Sequence, residues 1–587
     1  MRRDDLAVIS ASVRGRLARR PAAMAAWLCV AMLGAGCPRP VQDGGFGTTA
    51  FGRDAERIFQ SYLDHEPGTG MGLGLHQYDG RLPDVSAAAI AAEIADFRGY
   101  QRILEDYPAN RLSAEERLER DTLLLEMRRS LFDLTELRAP WHDPTSYDGE
   151  LELDRYLSRD YAPLEQRARS IAALARATPA YLAAARANLD PVLPAPLVET
   201  ALFEIAGDLE FVRGDVRAAL AGLGDGPVRH EVETALDAMA AALEEHHRFL
   251  EQRRGTADQS HVLGADKLVR MVAATEGFDT TLAEIERIGA LHFAADSAAL
   301  VEAARAIDPA RPARDVVNEI FALKPGDVLA EARRQSGEAR QFLIERDLVG
   351  VPADVPSEVR EAPPYLRNAT AYLQSAGVFE PAPLPGFFLI SPPDPAWSPA
   401  EQRAYLPATW DLLVLTTHEL YPGHFVDELH RRHLRSRILA ASWHELMGEG
   451  WAHYSEELMW ESGFAGGDPH YHVMQLEEAL LRDVRVQCAV GVHAHGMSID
   501  ECARRMRDDA YVDDETARQE AMRAAWDPMY LSYTLGKHLI RGLRDEWRAK
   551  MGSEFSLRAF HDRFLACGGA PFPSIRRAML EDGGGSS

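Results

Sequence analysis

The stretch Leu412-Leu413-Val414-Leu415-Thr416-Thr417-His418-Glu419-Leu420-Tyr421-Pro422-Gly423-His424 decides how this sequence is read. An apolar run leads straight into a His-Glu pair, and a second histidine follows six residues after the first. Two neutral imidazoles are suited to hold a zinc ion, and a glutamate beside the first is suited to take a proton from an attacking water. In an unbroken helix six residues turn through about 240°, which would point the imidazoles apart. Pro422 has no N–H to donate, and its ring clashes with the carbonyl of His418 four residues back. A break or bulge at Tyr421-Pro422-Gly423 is therefore predicted, with Gly423 free to take dihedrals that return His424 toward His418.

His-Glu occurs three more times, at His65-Glu66, His230-Glu231 and His444-Glu445, but none of these has another histidine within six residues. A third ligand is needed. The downstream segment Trp443-His444-Glu445-Leu446-Met447-Gly448-Glu449-Gly450-Trp451-Ala452-His453-Tyr454-Ser455-Glu456 places Glu445, Glu449 and Glu456 on one helical face among apolar neighbours. Carboxylates on a partly buried face require a cation or hydrogen-bond donors. Glu449 lies 25 residues after His424, far enough for a second helix to pack back across the first.

Outward from this centre, helical patterns are predicted over 53–350 and 401–575. Ser113 followed by Glu116 is a capping-box signature, and Leu124, Met127, Leu131 and Leu134 then recur at spacings of three and four. Residues 351–400 differ, carrying 11 of the chain's 34 prolines from Pro352 to Pro399. The run Gly386-Phe387-Phe388-Leu389-Ile390 within them is read as a strand, either an edge offered to an extended peptide or a plain core strand. Residues 576–587 read as a flexible tail.

The chain has 587 residues and a formal charge of -26, which argues against a nucleic-acid partner. Arginine-rich residues 1–20, the uncharged segment Pro21–Gly36 and the cysteine at 37 read as an export signal over 1–36, with a tether over 37–52. Leu33-Gly34-Ala35-Gly36-Cys37 resembles a bacterial lipoprotein cleavage box, so Cys37 is the expected lipid anchor, and ordinary cleavage nearby is the alternative. Loss of residues 1–36, with six Arg and two Asp, takes the charge from -26 to -30. The expected location is the cell envelope or periplasm, with membrane contact only through Cys37. Cys488, Cys502 and Cys567 are read as buried free thiols, one Cys488–Cys502 bridge being the alternative.

His418-Glu419-x-x-Pro422-Gly423-His424, followed by Glu449-Gly450-Trp451-Ala452-x-Tyr454-x-Glu456, resembles the bacterial domain-of-unknown-function 885 family, whose members resemble gluzincin-type zinc metallopeptidases. Arg482-x-x-Arg485 leading to Gly491-Val492-His493, and Pro528-x-x-x-Ser532-Tyr533-x-x-Gly536-Lys537, match that family's later motifs in order. Phe425 and Ala489 depart from it, standing where the family often has histidine and aspartate. The resemblance implies a mainly α-helical, multi-helix zincin-like peptidase architecture with a central cleft and a small β-sheet. It implies one Zn2+ per chain on His418, His424 and Glu449, with Glu419 as general base and Tyr533 and His493 as candidate oxyanion donors. Glu456 is expected to support a ligand histidine, and Arg482 or Arg485 to neutralise Glu449 and Glu456. The expected activity is hydrolysis of short peptides. A zinc hydrolase acting on another amide or ester, and a non-catalytic envelope lipoprotein serving as a binding or scaffold module, are the alternatives.

Overall fold

The computed structural model describes residues 47–581 except 364, 365, 368 and 369. The export signal, Cys37, most of the tether and the end of the tail lie outside the described residues. The architecture is mainly α-helical with one small sheet. The helices used below are α1 (Ala50–His65), α2 (Ala114–Phe132), α3 (Leu164–Asn188), α4 (Ala195–Arg213), α5 (Pro227–Arg254), α6 (Leu282–Ile307) and α7 (Val328–Arg346). After the sheet come α8 (Thr409–Glu419), α9 (His424–Arg432), α10 (Glu445–Glu461), α11 (Pro469–His495) and α12 (Ser532–Met551).

The predicted capping box starts α2: Ser113 Oγ accepts from Glu116 N at 3.2 Å, and Glu116 returns a carboxylate to Ser113 N at 2.9 Å. At the other end two expectations need correcting. Helix α1 begins at Ala50, inside the expected tether, because Thr49 Oγ1 caps it by accepting from Gly52 N. A helix over Phe572–Leu580 runs into the expected tail and stays ordered by burying Ala578 and Met579.

Two apolar cores organise the helices. Helices α3, α4 and α5 share a core around Ile171, Leu182, Val198 and Leu243. A larger core joins Leu300 of α6 and Leu343 of α7 to Phe388, Leu412, Trp451, Leu480 and Ile540. Helix α6 lies so close to α11 that a Cβ on Gly289 would come within 2.8 Å of Val486 Cγ1. The last helices before residue 350 thus pack with the C-terminal ones, because their apolar faces have their partners there.

Three strands, β1 (Ser357–Glu361), β2 (Ala371–Gln374) and β3 (Gly386–Ile390), form a sheet in the order β1-β3-β2. β1 runs parallel to β3, and β2 antiparallel to it with Leu373 opposite Phe388. All of β3 is buried. The apolar run is therefore the central strand, and the two edges belong to the more polar β1 and β2, since only a strand paired on both sides satisfies its backbone without water.

Cys488 and Cys502 are joined, not free. Gly496, in the left-handed region at φ 70°, ends α11 and turns the chain back, which brings the two Cα atoms to 5.4 Å, within disulfide reach. Cys567 is a buried free thiol.

Candidate metal centre

Helix α8 stops at Glu419 and α9 starts at His424, so the chain breaks where Pro422 forbids continuation. The Tyr421–Pro422 peptide is cis. Within the break Gly423 N donates to Thr417 O at 3.0 Å, and Trp451 Nε1 of α10 donates to the carbonyls of Pro422 at 2.9 Å and Gly423 at 3.3 Å. Gly423 is required by close approach rather than by an unusual φ: a Cβ there would lie 1.6 Å from the carbonyl oxygen of His418. The break returns His424 onto His418, with ring centroids 4.8 Å apart and planes at 88°.

Glu449 reaches this pair from α10. Its Oε2 lies 3.5 Å from Nε2 of His418 and 3.5 Å from Nε2 of His424. Those separations are long for hydrogen bonds but close to the edge of a ligand tetrahedron, about 3.3–3.4 Å when each donor sits 2.0–2.1 Å from its centre. Glu449 Oε2 has no hydrogen-bond partner although it is buried, as expected of an atom shaped to face a cation. The three residues could hold a metal ion through one atom each. His424 and Glu449 keep 16% and 21% side-chain exposure, leaving one side of the set open, as a catalytic site requires and a closed structural site does not.

The position of Glu449 follows from its glycine neighbours. A Cβ on Gly450 would come within 2.5 Å of Gly536 Cα, and one on Gly536 within 2.2 Å of Leu446 O, so α10 and α12 cross backbone to backbone. On the other flank the Trp443 indole lies over Gly448, where a Cβ would meet it at 2.0 Å. Glu445 lies one turn earlier, outside the ligand set. Burial, reinforced by Asp527 and Glu276, pushes its carboxyl up to about 8.

Glu456 contacts His418. It is fully buried, its Oε1 accepts from His418 Nδ1 at 2.7 Å, and its Oε2 accepts from His453 Nδ1 at 3.1 Å. The first contact leaves Nε2 of His418 as the lone-pair nitrogen facing Glu449. Burial opposes the charge on Glu456, but Arg482 and His453 outweigh it and hold the carboxyl well below its usual range. Burial likewise opposes charge on His418, and Glu449 and Glu456 outweigh it, lifting the ring to about 9; the spot strongly attracts positive charge.

Glu419 is half-buried, and its Oε2 accepts from the backbone N–H of Leu373 at 3.0 Å, which ties it to the edge strand β2. Tyr533 lies beside the set, its ring 6.4 Å from that of His418 and nearly parallel to it. Burial, then Glu449, pushes its hydroxyl up to about 12, so it remains a donor at neutral pH.

His493 is not brought to this cluster. It lies on α11 eleven residues beyond Arg482, about 16 Å along the helix. Its Nε2 hydrogen-bonds the Ala524 carbonyl at 3.0 Å, and burial pushes it down to about 4. Of the two arginines, Arg482 approaches Glu456 at 3.7 Å, whereas Arg485 makes a two-pronged pair with Glu520 at 2.8 and 2.9 Å, so only the first neutralises a site carboxylate. Both guanidiniums lie near the Tyr533 ring, at 5.8 and 5.0 Å. Sequence reasoning had no signal for Leu373 on Glu419 or Trp451 on the break, because each contact joins elements far apart in the chain; His453 on Glu456 is a pair three residues apart within α10, a spacing that helical periodicity could have found.

The fold has solved relatives. A putative lipoprotein of unknown function from Shewanella oneidensis superposes with a TM-score of 0.77 at 23% identity, over 91% of this chain and 100% of its own. A putative lipoprotein from Colwellia psychrerythraea gives 0.74 at 17% identity, over 91% and 99%. No curated protein matches the chain significantly. No helix among the described residues is long and apolar enough to cross a membrane. The family described as "Bacterial protein of unknown function (DUF885)" matches residues 67–579, and the chain belongs to that family.

Proposed function

We propose that the chain is an exported, metal-dependent hydrolase that cleaves peptide bonds, zinc being the ion the donor set fits best. The observation that carries this reading is the convergence of two imidazole nitrogens on one carboxylate oxygen at 3.5 Å, open on one side, with Glu419 adjoining. A bound zinc ion supplies a Lewis acid that polarises a carbonyl and makes water a better nucleophile at neutral pH. His418, His424 and Glu449 would hold it, and Glu456 fixes the tautomer of His418. Glu419 accepts the proton of the attacking water at its carboxylate and delivers it to the departing amine nitrogen. Tyr533 donates its phenolic hydrogen to the oxygen on which negative charge grows. The outer edge of β2, whose Leu373 N–H already points at Glu419, gives an extended peptide a backbone to pair with.

The test is metal content by inductively coupled plasma mass spectrometry, with turnover of a peptide mixture beside ester substrates. About one zinc per chain is expected, lost in His424→Ala and kept in Glu419→Gln, with peptide cleavage abolished in both. Absence of metal after zinc is offered and excess washed away would overturn the reading in favour of a binding or scaffold module. Cleavage of esters alone would move the substrate class.

A further inference from the structure

A cavity of about 500 Å³ lies between α1, α2 and the segment 441–443 that leads into α10. Trp443 belongs to both this cavity and the ligand cluster: it lines the one, while its ring stands 5.7 Å from that of His424 and covers the backbone beside Glu449. One indole therefore separates the metal ligands from the cavity.

The lining is unbalanced in charge. Glu66, Asp84, Glu93, Glu126, Asp133 and Glu150 face it, against the imidazole of His65 and the single guanidinium of Arg129, which donates to the Trp443 carbonyl at 3.2 Å. Tyr62, Tyr147 and Tyr181 supply aromatic wall between the carboxyls. Burial, compounded by Glu150 and Glu93, pushes Glu66 up to about 8, and burial, partly offset by Arg129, pushes Asp133 up to about 6. The volume is more than tenfold the roughly 30 Å³ share of a water, so it suits an organic cation with methylenes rather than a bare ion. Carboxylates for the charge and rings for the carbons are the groups that recognise an ammonium.

We infer that this cavity receives a protonated amine of the substrate, either the free α-amino end or a lysine side chain within one or two residues of the bond cleaved. The inference rests on the peptidase reading. An extended residue spans about 3.3–3.6 Å, so one or two residues carry an amine from a carbonyl at His424 past Trp443.

The experiment uses Glu419→Gln protein, whose loss of turnover permits binding to be measured by calorimetry, and three probes: Ala-Ala-Ala-amide, acetyl-Ala-Ala-Ala-amide and acetyl-Ala-Lys-Ala-amide. At least one cationic probe is expected to bind tenfold or more tighter than the uncharged one; the first names the α-amine and the third the side chain. Glu66→Gln with Glu150→Gln in that background is expected to abolish the preference without weakening the uncharged probe. Should the pair misfold, the half-exposed Glu93→Gln alone is expected to reduce the preference at least threefold. Equal binding of all three probes, or a preference that survives these substitutions, overturns the inference while leaving the peptidase reading in place. Failure of wild-type protein to cleave any peptide overturns both.

Discussion

Trp451 donates its indole N–H to the carbonyl of Pro422 at 2.9 Å, so the helix that carries Glu449 also holds the break that turns His424 back. Trp451→Phe keeps most of the packing and leaves that buried carbonyl without its donor. A stability loss of about 1–3 kcal/mol in urea unfolding is expected, with weaker zinc binding in a chelator competition. Unchanged zinc affinity would mean the break holds itself.

Gly423→Ala places a methyl group on the His418 carbonyl, where a Cβ would stand at 1.6 Å. No side-chain rotation relieves a clash with backbone. The expected cost is about 3 kcal/mol or more, with zinc stoichiometry falling toward zero. A variant that binds metal normally would refute the geometry given for the break.

Glu456→Gln keeps the shape of the support under His418 but removes its charge and one of two acceptors shared with His453. Zinc affinity is expected to fall about 10–100-fold, the usual cost of losing such a support, with peptide turnover recovering at high zinc. Full activity at limiting zinc would show that His418 is oriented by other contacts.

His561 gives a pH dependence remote from the ligands. Its Nδ1–H donates to the Leu348 carbonyl at 2.6 Å, its Nε2 accepts from Tyr454 at 2.9 Å, and burial pushes it down to about 4. The unfolded ring titrates near 6.5, so between about 6.5 and 4 the unfolded chain binds the proton and the folded chain does not. Stability from this group is present above that window and lost as pH falls through it, by about 3 kcal/mol in all. His561→Gln is expected to flatten the fall in melting temperature from pH 6.5 to 4, and an unaltered slope would count against it.

The sequence by itself determined the features that are local in origin. Pro422 forced the end of α8, Gly423 allowed the turn, Ser113 with Glu116 started α2, and the apolar run 386–390 made a strand, because each depends on sterics or hydrogen bonds among near neighbours. The residue types of the candidate metal set were equally legible, since imidazole and carboxylate chemistry does not depend on the fold. Which carboxylate joins the histidines was decided by the tertiary structure, through the crossing at Gly450 and Gly536 that turns Glu449 toward them and leaves Glu445 outside. The fold also sets the strand order, which leaves β2 an edge beside Glu419, and the packing of α11 that carries His493 away from the cluster. These depend on packing between segments tens to hundreds of residues apart, and the local pattern of a chain does not encode how distant backbones approach.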